Sequence, residues 1–283
     1  LALYRAKAAG KGCSVLFLPG FLEADQQRRR FEHELEMAVR QQQFVLFYQP
    51  QFDAVSGKLT GCEALLRWQH PARGLLLPGA FINILMKSSL SLTLGEWILR
   101  SALRQVGEWR QRLPTLRVSI NLFPRQLDDI RLDRLLGELT ANDASFVSLE
   151  VDESMLTSLV QEVPSRFSAI RQTGASFIID HYGRTLGAIN LLQYEFVTGL
   201  KIDKSLTAQL ADSGRIRMMF RALAALGKSL SMTVLAEGVE NGVQRDFATQ
   251  AQCDTVQGNA LGEPLTPEAF QALLPERAIR PHE

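Results

Sequence analysis

Short apolar runs that end on a polar residue recur along this chain. Five of them are Val118-Ser-Ile-Asn121, Val147-Ser-Leu-Glu150, Phe177-Ile-Ile-Asp180, Gly199-Leu-Lys201-Ile-Asp203 and Val234-Leu-Ala-Glu237. A sixth run, Leu59 to Leu66, carries Glu63 in its interior, and a seventh short run reaches Gln257. From Leu116 onward these runs alternate with helix-like segments, which is typical of βα units around a parallel sheet. Because the ends of parallel strands open onto one face, the pattern predicts a single concave, oxygen-rich site.

The rest of the pattern predicts the remaining elements. Phe44 to Pro50 and Leu59 to Trp68 are predicted strands around a turn at Ser56-Gly57, and helical periodicity dominates Gly79 to Leu113. Further helices are predicted over Pro124 to Asn142, Ser154 to Thr173, Leu186 to Tyr194, Ser213 to Leu230, Glu240 to Ala251 and Pro267 to Leu274. The stripe formed by Met218, Met219, Phe220, Leu223 and Leu226 is predicted to be helix core.

Composition narrows the function classes. The chain has 283 residues and is 46% hydrophobic, which suits one α/β barrel of about 250 residues. A net charge of +1 favours neither a nucleic-acid polymer nor an anionic membrane surface as a partner. The scattered cysteines Cys13, Cys62 and Cys253 and the lack of a long apolar stretch predict a cytoplasmic segment without membrane contact.

Four of the strand-end residues form an all-oxygen set: Glu63, Asn121, Glu150 and Asp180. Hard divalent cations prefer such ligands, so magnesium or manganese is the expected metal. Lys201 could steady an anionic oxygen or a nucleophilic water, and Glu237 could take a proton from that water. Together these groups suit hydrolysis of a phosphate ester.

Each strand-end acid also has a plain structural interpretation. A single Asp or Glu after a strand is more often the N-cap of the next helix than a ligand. Glu237-Gly-Val-Glu240 could likewise be a strand end followed by a helix cap. Trp68 could be a core anchor, and Arg67 a surface charge beside a turn. The coincidence of several such acids is what favours a shared site.

Seven motifs, in order, resemble those of one family. They are Tyr48-Gln49-Pro50, Glu63-Ala-Leu65-Leu-Arg67-Trp68, Ser119-Ile-Asn121-Leu122, Leu149-Glu150-Val-Asp-Glu153, Leu200-Lys201-Ile-Asp203-Lys204-Ser205, Ala236-Glu237-Gly-Val-Glu240 and Gln257-Gly258. From about Arg30 to Leu274 the chain resembles the EAL domain, the bacterial cyclic di-GMP phosphodiesterase family. The resemblance implies a modified TIM-type (β/α)8 barrel in which one strand near the start is antiparallel.

The resemblance also implies a domain organisation. Residues 1–20 are similar to the C-terminal tail of a GGDEF domain, the diguanylate cyclase module, residues 21–43 are a predicted linker helix, and residues 44–283 are the predicted EAL domain. The expected partners are therefore cyclic di-GMP and an upstream GGDEF domain, with a homodimer as a further expectation. The family leaves open a membrane anchor upstream in the full-length protein.

Site roles follow from the resemblance residue by residue. Ligands of the first metal would be Glu63, Asn121, Glu150 and Asp180, with Gln257 as a further polar member of the metal site. Lys201 and Glu237 match the residues that position and activate the attacking water, so they and Glu63 are the expected catalytic groups. Positions near the dinucleotide would be Gln49, Leu65, Arg67, Asp203 and Glu240. Glu153 matches the acid that braces the loop after Asp180.

One departure bears directly on activity. The family's second acid after the fifth strand, which serves a second metal, is replaced by His181, and the Gly-Thr-Gly that follows becomes Gly183-Arg184-Thr185. A neutral imidazole favours softer metals than magnesium. The expectation is therefore that the site binds a single metal ion or none. The leading expectation is cyclic di-GMP binding with weak or lost hydrolysis. An active magnesium- or manganese-dependent phosphodiesterase that produces pGpG and a protein-interaction scaffold are the alternatives.

Overall fold

A computed structural model of the chain describes residues 20–129, 131–141, 143–159, 164–184 and 188–276. The described residues form two compact units. One comprises residues 68–90 and the chain up to Val45, and the other comprises residues 46–67 and the chain from Ser91 onward. The predicted GGDEF-like tail at residues 1–20 lies, apart from Gly20, outside the described residues.

Helices and strands alternate along most of the chain. The helices are α1 (Gly20–Arg40), α2 (Ile82–Lys87), α3 (Leu90–Trp109), α4 (Pro124–Asp128), α5 (Leu132–Leu139), α6 (Glu153–Leu159), α7 (Pro164–Gln172), α8 (Lys204–Ala208), α9 (Gly214–Ser229), α10 (Gly242–Gln250) and α11 (Pro267–Gln271). The strands are β1 (Phe44–Asp53), β2 (Leu59–His70), β3 (Gly74–Leu76), β4 (Arg117–Asn121), β5 (Val147–Asp152), β6 (Ser176–Tyr182), β7 (Val197–Ile202), β8 (Thr233–Ala236) and β9 (Thr255–Val256). Pro78–Ala80 and Ala188–Gln193 form 3-10 helices.

The larger unit contains a closed β-barrel. Eight strands follow the order β1-β9-β8-β7-β6-β5-β4-β2, and β1 also pairs with β2, which closes the ring. Strand β2 pairs with β4 in parallel, and each strand from β4 to β9 pairs in parallel with the next one. Strand β1 instead runs antiparallel to β9, with Phe52 opposite Val256. The predicted (β/α)8 barrel with one antiparallel strand near the start is thus confirmed.

The barrel strands are buried on both faces because helices cover their outer side. Strand β5 is buried at each of its first five positions, from Val147 to Val151. On the outer side, α9 packs its buried Phe220 and Ala224 against the sheet. A Cβ atom at Gly227 would lie 2.7 Å from Val234 Cγ2, so this close approach of helix and strand requires glycine.

The smaller unit is organised around Trp68. The Trp68 ring is 1% exposed and lies 5.5 Å from the Phe31 ring of α1, while its Nε1 donates a 2.9 Å hydrogen bond to Gln43 Oε1. Glu34 of α1 accepts a hydrogen bond from Arg73, and its Oε2 atom lies 3.5 Å from His70 Nε2. Trp68 is therefore a core anchor, and the predicted linker helix contains most of α1.

Several predicted helices are wrong in extent. The single helix expected over Pro124 to Asn142 is two helices, α4 and α5. The helix expected over Ser154 to Thr173 covers α6 and α7, and residues 160–163 between them lie outside the described residues. The segment predicted from Leu186 to Tyr194 contains a 3-10 helix instead. The predicted core stripe is also wrong in part, since Phe220 is buried but the Met218 side chain is 67% exposed and that of Met219 is 43% exposed. Among the described residues, no helix combines the length and apolar character needed to cross a bilayer.

Candidate active site

A buried lysine surrounded by carboxylates lies at the carboxyl ends of the barrel strands. Lys201 is 1% exposed, and its Nζ atom donates hydrogen bonds to Glu63 Oε2 at 2.7 Å and to Glu150 Oε2 at 2.9 Å. Asp180 Oδ1 lies 3.7 Å from the same nitrogen. Three acids from three different strands therefore share one cation, as the spacing of the apolar runs predicts.

Sheet register explains why these side chains meet. Asn121 is opposite Glu150 in the parallel pairing of β4 and β5, and Asp152 is opposite Asp180 in the pairing of β5 and β6. Each of these residues stands at or near the last position of its strand. In a closed barrel with all these strands parallel, such positions line one mouth.

The charges in this cluster are strongly interdependent. Burial alone would raise the pKa of the Glu63 carboxyl, but the Lys201 charge and the side-chain donors Lys201, Gln257 and Asn121 lower it to about 2. The pKa of Glu150 is raised well above its usual value, by burial first and then by the Glu63 charge. Burial opposes the charge on Lys201, but Asp180, Glu150 and Glu63 together raise its pKa well above the usual value. Lys201 is therefore a fixed cation and Glu63 a fixed anion.

Side-chain amides hold the Glu63 carboxylate in place. Asn121 Nδ2 donates to Glu63 Oε1 at 2.8 Å, and Gln257 Nε2 donates to Glu63 Oε2 at 2.7 Å. The Gln257 amide also donates to Gln49 Oε1 at 2.9 Å and accepts from Gln51 Nε2 at 2.9 Å. Gln51, which is 5% exposed, is a member of this network that the sequence reasoning missed.

His181 lies among three acids, of which Asp180 also belongs to the cluster around Lys201. Its Nε2 atom is 3.4 Å from Asp180 Oδ2, and its Nδ1 atom is 3.1 Å from Asp203 Oδ2 and 3.7 Å from Glu237 Oε2. These are ion-pair distances without hydrogen-bond geometry at Nδ1. The residue has a backbone φ of 57°, in the left-handed region that histidine visits more readily than most side chains.

Its surroundings favour the charged imidazole. The neighbouring Glu237 carboxylate raises the pKa of His181 most, burial opposes it, and Asp180 adds to the rise, giving a pKa of about 9. The side chain thus brings a positive charge to a position where the family pattern has an acid. The pKa of Asp180 is nevertheless raised, chiefly because the carboxyl is buried.

The donor set fits a divalent metal ion. Glu150 Oε1 and Glu237 Oε2 are buried oxygens that make no hydrogen bond with the described part of the chain. The Asn121 amide uses its nitrogen on Glu63, which leaves its oxygen to face a ligand. Asp180, His181 and Glu237 each offer a donor atom within 4.8 Å of the others. Unpaired buried oxygens of this kind are what a hard cation satisfies.

The helix-cap interpretation holds for one strand-end acid. Asp203 is the N-cap of α8, and its Oδ1 accepts from Ser205 N at 2.8 Å. The N-cap of α4 is Phe123 and that of α10 is Asn241, so Asn121 and Glu237 do not cap the helices that follow them. Of the alternative that Glu237 to Glu240 is a strand end followed by a helix cap, the strand end is right, because β8 ends at Ala236, but the cap is wrong, because Asn241 caps α10.

The remaining predicted site residues lie at varied depths. Arg67 is 7% exposed, donates from Nη1 to Leu66 O at 2.9 Å and lies over the Phe47 ring at 5.6 Å. Leu65 is half-buried. Glu240 is exposed, and its backbone NH donates to Gln244 Oε1 at 2.7 Å.

Glu153 is buried at the first position of α6, and its charge contributes to raising the pKa of Tyr182, after burial. Tyr182 and Gly183 follow His181 directly, so Glu153 lies near the start of the loop it is predicted to brace. Residues 185–187 of that loop, including part of the altered Gly-Thr-Gly segment, lie outside the described residues.

Two loops at this mouth pack against each other through a glycine. Val239 N donates to Gln257 O at 3.0 Å, and Ala260 N donates to Val239 O at 3.2 Å. A Cβ atom at Gly258 would lie 2.2 Å from the Val239 backbone. The Gln257-Gly258 motif therefore fixes the segment that carries Glu237 next to the residues that directly follow β9.

Several curated bacterial proteins are similar to this chain. An uncharacterized signaling protein of Caulobacter vibrioides is 32% identical over 273 residues, covering 95% of this chain and 33% of that protein. The bifunctional diguanylate cyclase/cyclic di-GMP phosphodiesterase MucR of Pseudomonas aeruginosa is 31% identical over 278 residues, covering 96% of this chain and 40% of MucR. The chain thus spans about a third to two fifths of the length of these relatives.

Solved structures are also similar to this chain. A MucR phosphodiesterase in complex with c-di-GMP matches with a TM-score of 0.79 and 31% identity, covering 85% of this chain and 99% of that one. The EAL enzyme Bd1971, bound to cAMP and cyclic di-GMP, matches in fold with a TM-score of 0.85 at 24% identity, covering 90% of this chain and 70% of that one. The model of the EAL domain matches residues 32–264. This chain belongs to the EAL domain family.

Proposed function

We propose that this domain binds cyclic di-GMP at the carboxyl mouth of the barrel and hydrolyses it weakly or not at all. The observation that carries the proposal is the position of His181, whose imidazole lies within ion-pair distance of Asp180, Asp203 and Glu237. A positively charged side chain there neutralises acids that would otherwise attract a second cation.

Binding is supported by groups suited to a nucleotide. Arg67 offers a guanidinium, whose fork of donors suits phosphate oxygens. Gln49 is fixed by Gln257 and donates to Gly262 O at 3.2 Å, so its amide is preorganised. The solved MucR phosphodiesterase, 31% identical to this chain, is a complex with c-di-GMP. A scaffold without nucleotide would have no physical need for these groups.

The metal is proposed to be magnesium or manganese, held by Glu63, Asn121, Glu150 and Asp180 with Gln257 beside them. When bound, such an ion polarises a phosphoryl oxygen and lowers the pKa of a bound water. The chain's own side chains supply the other catalytic groups. Lys201 orients an anionic oxygen, and Glu237 accepts a proton from the attacking water. Hydrolysis of one phosphodiester bond would yield linear pGpG.

A competent phosphodiesterase is the second candidate. Its support is that Lys201 already holds Glu63 and Glu150 at hydrogen-bond distance, so the first half of the site is assembled. The donor atoms of Asp180, His181 and Glu237 also lie within 4.8 Å of one another, and an imidazole nitrogen with carboxylates suits manganese better than magnesium.

The proposal extends to the whole protein in three respects. An upstream diguanylate cyclase-like domain would join this one through α1, as the two activities in MucR's name suggest. A homodimer would form, with the loop after Asp180 coupling it to metal binding. A cytoplasmic location would suit a nucleotide messenger.

One experiment separates these functions. Cyclic di-GMP is incubated with the domain and manganese, products are resolved by chromatography, and binding is measured in parallel with calcium. Binding with slow or absent turnover supports the receptor. Turnover at about 1 per second or faster would establish the phosphodiesterase instead. Absence of both would contradict each of them and favour the scaffold.

A further inference from the structure

The barrel has a second concave surface at its amino-terminal end. A cavity of about 510 Å³ is lined there by the first residues of successive strands, among them Arg117 of β4, Ser176 of β6 and Thr233 of β8. The acid cluster stands at the opposite ends of the same strands. Cavities of roughly 300–1,000 Å³ are the size that binds small molecules.

Small side chains leave this cavity open. The interior of an eight-stranded barrel is usually filled by layers of bulky branched residues. Here Gly61, Gly174 and Ala175 contribute to the lining. Small residues at the start of β2 and just before β6 thus take the place of bulky ones.

The lining carries positive charge and no negative charge. Its ionisable side chains are Arg117 and Arg171, and no Asp or Glu contributes to the lining. Within the part of the chain that the structure describes, neither arginine has a carboxylate at ion-pair distance. Both arginines are exposed at the mouth, while Ser119, Ser148 and Gln51 are buried deeper in the cavity. Two arginines without acidic partners favour an anion.

Arg117 is oriented across the cavity. Its Nη2 atom lies 3.3 Å from Ser176 Oγ and 3.5 Å from Ser148 Oγ, so the guanidinium is held by weak contacts. The Arg117 side chain is only partly covered; this partial burial first, and the neighbouring Arg110 second, lower the pKa of Arg117, and the charge of a bound anion would offset that lowering. Arg171 commits one nitrogen to Glu195 O at 3.0 Å and has further donors to offer.

Hydroxyl groups complete the chemistry. Ser119, Thr233 and Thr255 line the cavity, and their hydroxyls make no hydrogen bond to any described residue. The Thr60 and Thr198 hydroxyls, in contrast, donate to the carbonyls of Gln51 and Phe177. The three uncommitted hydroxyls can donate or accept, which suits a ligand that carries both an anionic group and hydroxyls.

We infer that the amino-terminal end of the barrel is a second binding site, which takes a small phosphorylated polyol. The phosphate lies against Arg117 and Arg171 at the mouth, and the polyol hydroxyls face Ser119, Thr233 and Thr255. The site is separate from the nucleotide site and does not depend on metal, turnover or the identity of the ligand at the other mouth.

Calorimetry in EDTA tests this site without metal. Glycerol 3-phosphate, inorganic phosphate and glycerol are titrated into the domain and into two variants, Arg117→Gln and Arg67→Gln. Arg67 is the phosphate-seeking arginine of the opposite mouth and so is the matched control. We expect glycerol 3-phosphate to bind more tightly than phosphate, glycerol to show no binding, and Arg117→Gln to weaken binding about tenfold or more. Arg67→Gln should bind like the parent.

Circular dichroism checks that Arg117→Gln is folded, and Thr233→Val serves as a second variant that removes one hydroxyl while keeping the side-chain shape. If Arg117→Gln fails to fold, weaker binding of glycerol 3-phosphate by Thr233→Val supports the site, and unchanged binding overturns it. No binding to the parent, or a loss in Arg67→Gln alone, overturns the proposal. Equal affinity for phosphate and glycerol 3-phosphate overturns the polyol part.

Discussion

Gln51 Nε2 donates a 2.9 Å hydrogen bond to Gln257 Oε1, and this contact determines which side of the Gln257 amide faces Glu63. With its oxygen directed at Gln51, the amide presents its nitrogen to Glu63 Oε2 and Gln49 Oε1. A reversed amide would place an oxygen against the Glu63 carboxylate. Gln51 therefore orients the carboxylate without touching it.

The first prediction tests this orientation. Gln51→Leu keeps the side-chain volume but leaves Gln257 Oε1 as a buried acceptor without its donor. We expect a loss of about 1–3 kcal/mol in the free energy of unfolding, measured by urea denaturation. Manganese affinity should fall as well. Gln250→Leu, on the exposed end of α10, is the control. Equal unfolding midpoints for the two variants would contradict the assigned role.

The sequence could not identify Gln51. Gln49 and Gln51 both lie on β1 and both bond to the Gln257 amide, and the way each of them meets that amide depends on the antiparallel pairing of β1 with β9. That pairing joins residues about 200 positions apart, so no local pattern reports it. The strand-end acids were predictable because each local run places its own last residue, and the parallel barrel brings them together.

The sequence also could not predict which face of a helix is buried or where a helix breaks. Met218 and Met219 continue the apolar stripe of α9, but the sheet contacts the side that carries Phe220 and Ala224. Periodicity identifies an apolar face, whereas the neighbouring strands decide how much of it is covered. The position of His181 relative to Asp203 and Glu237 likewise depends on the ends of three different strands.

The second prediction concerns Arg67. Its removal should weaken cyclic di-GMP binding by roughly 1.5–3 kcal/mol, the range of a charge-assisted hydrogen bond. Calorimetry of Arg67→Ala with calcium measures this directly. Arg100→Ala is the matched control, because Arg100 is an exposed arginine that pairs with Glu96 on α3. Unchanged affinity in Arg67→Ala would rule out a phosphate contact.

The third prediction concerns Glu63. Glu63→Gln should abolish residual turnover and weaken manganese binding, since an amide keeps the shape but loses the charge. Lys201 retains Glu150 at 2.9 Å and Asp180 at 3.7 Å, so near-ultraviolet circular dichroism should still show a native fold. Glu108→Gln, at an exposed position of α3, is the control. Turnover at the parent rate would show that the metal site is placed wrongly.

The stability difference between the parent and Glu63→Gln should depend on pH. The pKa of Glu63 is lowered from 4.5 to about 2, so its charge stabilises the folded state above pH 4.5. This contribution is lost as the pH falls from 4.5 toward 2. The difference in unfolding free energy between parent and Glu63→Gln should therefore shrink over this interval. A constant difference from pH 6 down to about pH 2 would contradict the lowered pKa.

The fourth prediction concerns the buried thiols. Burial raises the pKa of Cys253 to about 12, and that of Cys62 rises further for the same reason. At pH 8 the thiolate fraction of Cys253 is then on the order of one in ten thousand. In a Cys13→Ser variant, a disulfide reagent should label neither thiol rapidly until urea unfolds the protein, after which both should react. Fast labelling of the folded variant would show that these cysteines are accessible.

The last prediction concerns His181, on which the choice between receptor and enzyme depends. His181→Asp returns a carboxylate beside Asp180 and removes a side chain whose pKa is about 9. Aspartate tolerates the left-handed backbone at this position, where φ is 57°, and so does asparagine, which makes His181→Asn the uncharged control. Turnover with magnesium should rise in His181→Asp alone.

Affinity for cyclic di-GMP should change little in the same variant, because a second metal acts mainly on oxygens that develop charge in the transition state. The turnover rate should therefore rise while the affinity for cyclic di-GMP stays nearly the same. A parent that already turns over at about 1 per second, unchanged by His181→Asp, would contradict the weakened site. If His181→Asp stays inactive, the cause lies in the loop that begins at Gly183, and combining it with Arg184→Thr and Thr185→Gly should then restore hydrolysis.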